Sequence, residues 1–269
     1  MGIIDALILG ILQGLTEFLP ISSSGHLVLA EHFLGVENKA VEEAVLFILV
    51  LHLGTVFAVL YCYWNDIIGF FNSPGKNDEE LSTSPIPRRI LLMFVISIVA
   101  TAIIALPIDK LFEAAFQNPL YAASGLLVTA AILALSLLGK GEGEIQSVNP
   151  VKAILIGIGQ GIAVFPGISR SGTTIVIGML LGLKGKEAAR YTFLLSVPTI
   201  ILASAVKFLD YLEVGSATIP IANYIVGFIA SVIFGILAIK VLLKIIANGK
   251  MAVFAIYCLI AGVVALFTI

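Results

Sequence analysis

Two polar passages in an otherwise apolar chain carry the residue types that phosphate chemistry needs. The first reads QGLTEFLPISSSGH from Gln13 to His26, the second PGISRSGTT from Pro166 to Thr174. In each, serine follows Pro-Ile or Pro-Gly-Ile at a point where a new helix would begin, which is N-cap chemistry. A helix N-terminus offers free backbone N–H groups and the positive end of a dipole, and neighbouring hydroxyls add donors, so such a terminus suits a phosphate. The candidate binding set is Gln13, Ser22, Ser24, Gly25, Ser169, Ser171, Gly172, Thr173 and Thr174, although Ser24, Gly25 and Gly172 also suit a purely geometric role in the loops. Arg170 adds a fixed positive charge and a planar fork that can grip two phosphate oxygens. Uncompensated inside a bilayer it would cost about 2.5 to 3.5 kcal/mol, a cost that an anionic ligand offsets.

Gln13 and Glu17 are four residues apart, on one face of a helix. His26 follows Ser22 and Ser23 by about one turn and can share their cavity. A hydroxyl, an imidazole, a carboxylate and a guanidinium together are the parts for nucleophilic or general acid-base phosphoryl transfer, and the candidate catalytic residues are Glu17, Ser23, His26 and Arg170. No Walker A pattern occurs, so nucleotide hydrolysis has no support.

The elements that must position these groups follow from composition. The chain has 269 residues, 59% hydrophobic and 12% charged, with a mean hydropathy of +1.11. Runs of the roughly 20 apolar residues needed to cross a bilayer recur along its length, and a cleaved signal peptide is not expected of the N-terminus. Six full spans are expected at about 44–63, 88–107, 120–139, 190–209, 221–240 and 250–268. Two further apolar stretches, 3–35 and 151–183, are broken in the middle by the polar passages, and each reads as a re-entrant helical hairpin. The fold class expected is an all-α polytopic membrane protein forming a single transmembrane domain over 1–269.

The two broken stretches repeat at an offset of 147 residues: Gly10 with Gly157, Gln13 with Gln160, Phe18 with Phe165, Ser22 with Ser169, and Gly25 with Gly172. Three spans separate them, an odd number, which makes the second copy inverted relative to the first. Repeat 1 covers about 1–107 and repeat 2 about 148–246, with the remaining helices packed around them. Inverted repeats with broken helices place binding sites near the membrane midplane. Loops 64–90, 140–152, 184–190 and 240–250 hold eleven of the fifteen Lys and Arg residues, so by the positive-inside rule they face the cytoplasm. The polar loop 72–87 then reads as an exposed cytoplasmic connection.

The motifs QGLTEFLPISSSGH and PGISRSGTT resemble the two signatures of the undecaprenyl-diphosphate phosphatase family of the bacitracin-resistance type, and the likeness in length, motif placement and span count covers nearly the entire chain. The resemblance implies hydrolysis of undecaprenyl diphosphate to the monophosphate carrier lipid of peptidoglycan and other cell-wall synthesis, with bacitracin resistance. It implies a multi-pass protein of the bacterial plasma membrane whose site opens toward the outer face. Matched residue by residue, the family's functional positions fall on Glu17, Ser22, Ser23, His26, Ser169, Arg170, Ser171 and Thr174. The family's acidic pattern, Glu or Gln, three residues, then Glu, falls on Gln13 and Glu17, and a divalent cation such as Mg2+ or Ca2+ would be held at Glu17 with Gln13 nearby. Two mechanisms stay open: Ser23 attacks the terminal phosphorus with His26 as proton carrier and Glu17 orienting His26 or holding the cation, or His26 is itself the nucleophile.

A polyprenyl diphosphate and the membrane are the expected partners; a homodimer is admitted, and the net charge of -2 gives no nucleic-acid footprint. A secondary transporter or flippase for an anionic lipid, or a non-catalytic lipid-binding scaffold, would share this architecture. Asymmetry between the copies favours an enzyme: Glu17 and His26 align with Val164 and Thr173, so one copy carries the acid-base set and the other the arginine. Elsewhere the residues read as bland. Cys62 and Cys258 are small hydrophobic residues, His32 and His52 have no motif partner, and Tyr61, Tyr63 and Trp64 form an interfacial anchor.

Overall fold

A computed structural model describes residues 2–33, 41–71, 87–108, 114–116, 118–139, 141–214 and 219–269. Loop 72–87, read above as a cytoplasmic connection, lies almost wholly outside the described residues. Among those described the secondary structure is helical, apart from one isolated bridge between Gly143 and Leu183. The helices of eight residues or more are α1 (Ile3–Phe18), α2 (Ser23–Phe33), α3 (Val41–Cys62), α4 (Trp64–Phe71), α5 (Arg89–Ala105), α6 (Pro119–Ala134), α7 (Pro150–Ile162), α8 (Arg170–Leu180), α9 (Gly185–Val214), α10 (Ile221–Ala247) and α11 (Val253–Thr268).

Among the described residues four helical segments are long and apolar enough to cross a membrane: Arg89–Ile108, Pro119–Leu138, Gly185–Leu209 and Ile221–Ala247. They coincide with four of the six expected spans. The other two expectations, 44–63 and 250–268, fall on α3 and α11, whose described apolar parts are Leu46–Cys62 and Val253–Thr268. A broad apolar exterior that includes Leu92, Ile103, Leu137, Ile233 and Phe267 suits contact with lipid. Of the expected interfacial anchor, Tyr61 and Trp64 face outward whereas Tyr63 is buried.

Both broken stretches are helix, break, helix. α1 and α2 are joined through 19–22, and α7 and α8 through 163–169. α1 lies along α10 and α7 lies along α5, and equivalent glycines make each approach close: a Cβ on Gly10 would strike the Gly227 backbone, and one on Gly157 the Ser97 backbone. Small residues at such crossings let helix backbones meet without side chains between them. α2 packs on α6, which packs on α11, while α3 is sandwiched between α9 and α10.

The sequence reading placed Arg190 at the end of the basic loop 184–190; in the structure it lies in α9. Its guanidinium is buried and grips Asp66 of α4 through Nε at 2.9 Å and Nη2 at 2.5 Å, with Glu187 at 3.5 Å on Nη1. Glu187 also accepts from the Ile145 N–H at 3.1 Å, so one ion cluster ties α4, α9 and the 145–147 turn together. Breaking a buried pair outright costs about 3–5 kcal/mol; losing Asp66 still leaves Arg190 paired with Glu187, so a smaller share of that cost is expected. Asp66→Ala is therefore expected to lower the unfolding midpoint in detergent below wild type, and Asp66→Leu combined with Arg190→Met to recover most of the loss. An unchanged midpoint in Asp66→Ala would show that the cluster is not a clamp.

Candidate active site

The two breaks solve the same backbone problem with the same side chains. Ser22 Oγ accepts from the Gly25 N–H at 3.2 Å, and Ser169 Oγ from the Gly172 N–H at 3.1 Å. Each serine thereby caps the helix that follows. Ser22 and Ser24 hydroxyls lie 3.3 Å apart, as do those of Ser169 and Ser171. Polar backbone buried outside helices needs partners, and Thr129 of α6 serves the second break by donating to the Gly167 carbonyl at 2.7 Å and accepting from the Ser169 N–H at 2.8 Å. The repeat is kept at the caps but not in the turns. The first break turns at Ser22, with φ +69°, and the second at Gly167, with φ +86°. A serine held in the left-handed region costs about 1–3 kcal/mol, and such positions cluster at functional sites.

The breaks converge on Glu17. Its side chain is 3% exposed, and both carboxylate oxygens are engaged. Arg170, the first residue of α8, donates from Nη2 to Oε1. Ser23, the first residue of α2, donates to Oε2 at 2.8 Å, and Gln13 Nε2 donates to the same oxygen at 3.0 Å. Two helix N-termini, each with a positive dipole end, thus meet one carboxylate contributed by a third helix. Ser171 Oγ reaches across to the Leu19 carbonyl at 3.4 Å, a second link between the breaks.

His26 stands apart from this cluster. Its Nδ1 lies 2.8 Å from the Ser22 carbonyl, which can only accept, so Nδ1 carries the proton and Nε2 of the neutral ring accepts from the Tyr257 hydroxyl at 2.7 Å. The ring stacks on Tyr257 with centroids 5.7 Å apart. The expected arrangement in which Glu17 orients His26 is therefore not the one found. The imidazole beside Glu17 belongs to His52 of α3, read from the sequence as bland: Nε2 is 3.8 Å from Glu17 Oε2, and Nδ1 is 2.9 Å from the Ile48 carbonyl. The signal available was an ionisable residue within an apolar run. Tyr257 carried no signal in either motif.

Of the remaining expected binding residues, Thr174 donates to the Arg170 carbonyl at 2.9 Å, so its hydroxyl hydrogen is turned to the backbone, whereas the Thr173 hydroxyl is buried without a partner among the described residues. Glu17 and Arg170 line a small cavity shared with Gln160, Ser171, Thr192 and Ser196, with Phe18 and Phe193 as its apolar wall. Phe18 and Phe193 meet edge to face, centroids 5.4 Å apart.

No group of three His, Cys, Asp or Glu side chains with the spacing to hold a metal ion occurs among the described residues. One observation nevertheless fits a hard cation. Gln13 Oε1 is buried without a hydrogen-bond partner among the described residues, while its Nε2 is tied to Glu17. If the amide turned over, its oxygen would stand beside the Glu17 carboxylate, and the two would be the kind of oxygen donors that Mg2+ or Ca2+ takes.

The family model for bacitracin resistance protein BacA matches residues 6–264. Proteins named undecaprenyl-diphosphatase are similar over nearly their full length. The one from Methanosphaera stadtmanae is 39% identical over 99% of this chain and 98% of its own. That from Halothermothrix orenii is 40% identical over 98% and 96%, and that from Bacteroides fragilis 38% over 97% and 96%.

Proposed function

The chain belongs to the bacitracin resistance protein BacA family, and from that membership we infer that it is a multi-pass membrane hydrolase that converts undecaprenyl diphosphate to undecaprenyl phosphate and inorganic phosphate, recycling the lipid carrier. The observation that carries the reading is the meeting of Arg170 and Ser23, each at the start of a helix, on the buried carboxylate of Glu17. A long prenyl chain held in the bilayer by about 0.8 kcal/mol per buried methylene brings its head group to a protein embedded at the same depth.

The carboxylate occupies the place where anion-binding groups converge, and an incoming diphosphate competes with it for Arg170. The guanidinium fork and the dipole ends of α2 and α8 hold the terminal phosphate and take up the charge that develops on it. Ser23 Oγ, 2.8 Å from Glu17 Oε2, passes its proton to Glu17 as it attacks the terminal phosphorus. The Oγ–P bond forms, the bridging P–O bond breaks, and undecaprenyl phosphate leaves. Water then attacks the phosphoserine, releasing inorganic phosphate and restoring the hydroxyl. The lone pair of His26 Nε2 is capped by Tyr257, which favours Ser23 over His26 as nucleophile. A divalent cation such as Mg2+ or Ca2+, held by Glu17 and Gln13 Oε1, would supply charge neutralisation to the diphosphate when bound.

The finer architecture is an inverted repeat whose two broken stretches are re-entrant hairpins, set in the plasma membrane with the basic loops cytoplasmic and the site opening outward. Support comes from the matched caps at Ser22 and Ser169, the matched approaches at Gly10 and Gly157, and the distribution of Lys and Arg.

The test is phosphate release by the purified protein from undecaprenyl diphosphate in detergent. Wild type is expected to release one phosphate per lipid, with a phosphorylated intermediate that maps to Ser23. A label trapped on His26 would overturn the nucleophile, and a protein that retains or translocates the lipid without releasing phosphate would overturn the activity.

A further inference from the structure

The cavity beside Glu17 and Arg170 has one wall from α9, a helix outside both sequence motifs. Most of the polar side chains on that cavity are already committed. Ser196 Oγ donates to the Phe193 carbonyl at 2.7 Å, Gln160 Nε2 to Thr101 at 2.9 Å, and Ser171 Oγ to the Leu19 carbonyl at 3.4 Å. Thr192 differs. It is 4% exposed, and its hydroxyl has no hydrogen-bond partner among the described residues.

A threonine inside a helix has an easy partner in the carbonyl three or four residues back. Thr16, Thr101, Thr174 and Thr199 use it, at 2.7 to 2.9 Å from Leu12, Ser97, Arg170 and Leu195 respectively. Thr192 has the same option within α9 and does not take it. A buried hydroxyl kept from its backbone acceptor bears its desolvation cost unrepaid, which marks it as a donor held for something that enters the cavity. The cavity's charged groups, a guanidinium opposite a carboxylate, fix what that is: an anion able to draw Arg170 from Glu17 and to accept from a hydroxyl at the same time.

Resting on the phosphatase reading above, we propose that Thr192 is a phosphate-binding residue of this centre, its Oγ1 donating to an oxygen of the terminal phosphate of the diphosphate and then to the released inorganic phosphate. The apolar wall of Phe18 and Phe193 shields that hydrogen bond from water, and Arg170 supplies the opposing charge. Thr192 thereby extends a site built by the two repeated breaks onto a third, unrelated helix.

The experiment compares wild type, Thr192→Val and Thr192→Ser for kcat and KM on undecaprenyl diphosphate, for inhibition by inorganic phosphate, and for unfolding midpoint. Losing a hydrogen bond to a charged group lowers kcat/KM about 10- to 100-fold. Thr192→Val is expected to show that loss and a similar weakening of phosphate inhibition, with an unfolding midpoint at or above wild type because no protein partner is lost. Thr192→Ser is expected to recover activity to within about threefold. Wild-type kcat/KM and wild-type phosphate inhibition in Thr192→Val would overturn the proposal, as would a Thr192→Ser variant that folds and yet is as impaired as Thr192→Val. Should wild type itself release no phosphate, the phosphatase reading falls, and direct binding of inorganic phosphate decides Thr192 separately: weaker binding by Thr192→Val upholds its role, equal binding overturns it.

Discussion

Arg170→Ala is expected to lower kcat/KM for phosphate release from undecaprenyl diphosphate by about 10³- to 10⁵-fold, the range seen when an arginine that stabilises phosphoryl-transfer charge is removed. Two effects combine. The terminal phosphate loses a fixed cation and the fork that orients it, and Glu17, with a side chain 3% exposed, is left buried without its arginine counter-charge. The second effect alone would destabilise the fold, since breaking a buried pair costs about 3–5 kcal/mol. Arg170→Lys separates them. It keeps the charge beside Glu17 and so the unfolding midpoint, but lacks the planar bidentate geometry, and its kcat is expected to stay about 10²-fold or more below wild type. Full recovery of activity by lysine would show that Arg170 acts only as a counter-ion.

Glu17→Gln is the second large effect. The amide is nearly isosteric and its one oxygen can still accept on one side of the site, from Arg170 or from Ser23, yet it cannot take the serine proton and offers a cation no charge. General-base contributions run to about 10² to 10⁴, and the loss is expected in kcat rather than KM, because an amide opposes the diphosphate less than a carboxylate does. Steady-state kinetics on the folded variant check this. A Glu17→Gln protein with wild-type kcat would mean that Ser23 passes its proton elsewhere, and His52, 3.8 Å from the carboxylate oxygen that Ser23 bonds, would be the first group to test.

Much of this centre was legible in the sequence because its signals are local. Proline, glycine and serine inside apolar runs announce helix breaks, the 147-residue repeat pairs the breaks, and an arginine at membrane depth calls for an anion. These clues brought Glu17 and Arg170 together across 153 positions, as the structure does. Groups placed by tertiary packing left no such trace. His52 faces Glu17 only because α3 lies against α1 and α10, and Tyr257 meets His26 from a helix 231 positions away. Thr192 looks like any helical threonine until its missing backbone bond is seen. Arg190 sits where positive-inside reasoning assigns a solvated loop charge, and its burial depends on Asp66 at a distance of 124 positions. The expected spans at 44–63 and 250–268 fall on α3 (Val41–Cys62) and α11 (Val253–Thr268), because apolar length, which hydropathy registers, is a local property of the chain.

Everything above requires Glu17 of one half and Arg170 of the other to work as a single unit, and a double-mutant cycle on kcat/KM tests this most directly. Glu17→Ala, Arg170→Ala and the double variant are compared with wild type for phosphate release from undecaprenyl diphosphate, all in folded form. Residues acting as a unit are grossly non-additive, so the double variant is expected to be no more impaired, within about threefold, than the worse single variant. Losses that multiply across the cycle would mean that the carboxylate and the guanidinium act independently, and that there is no common centre.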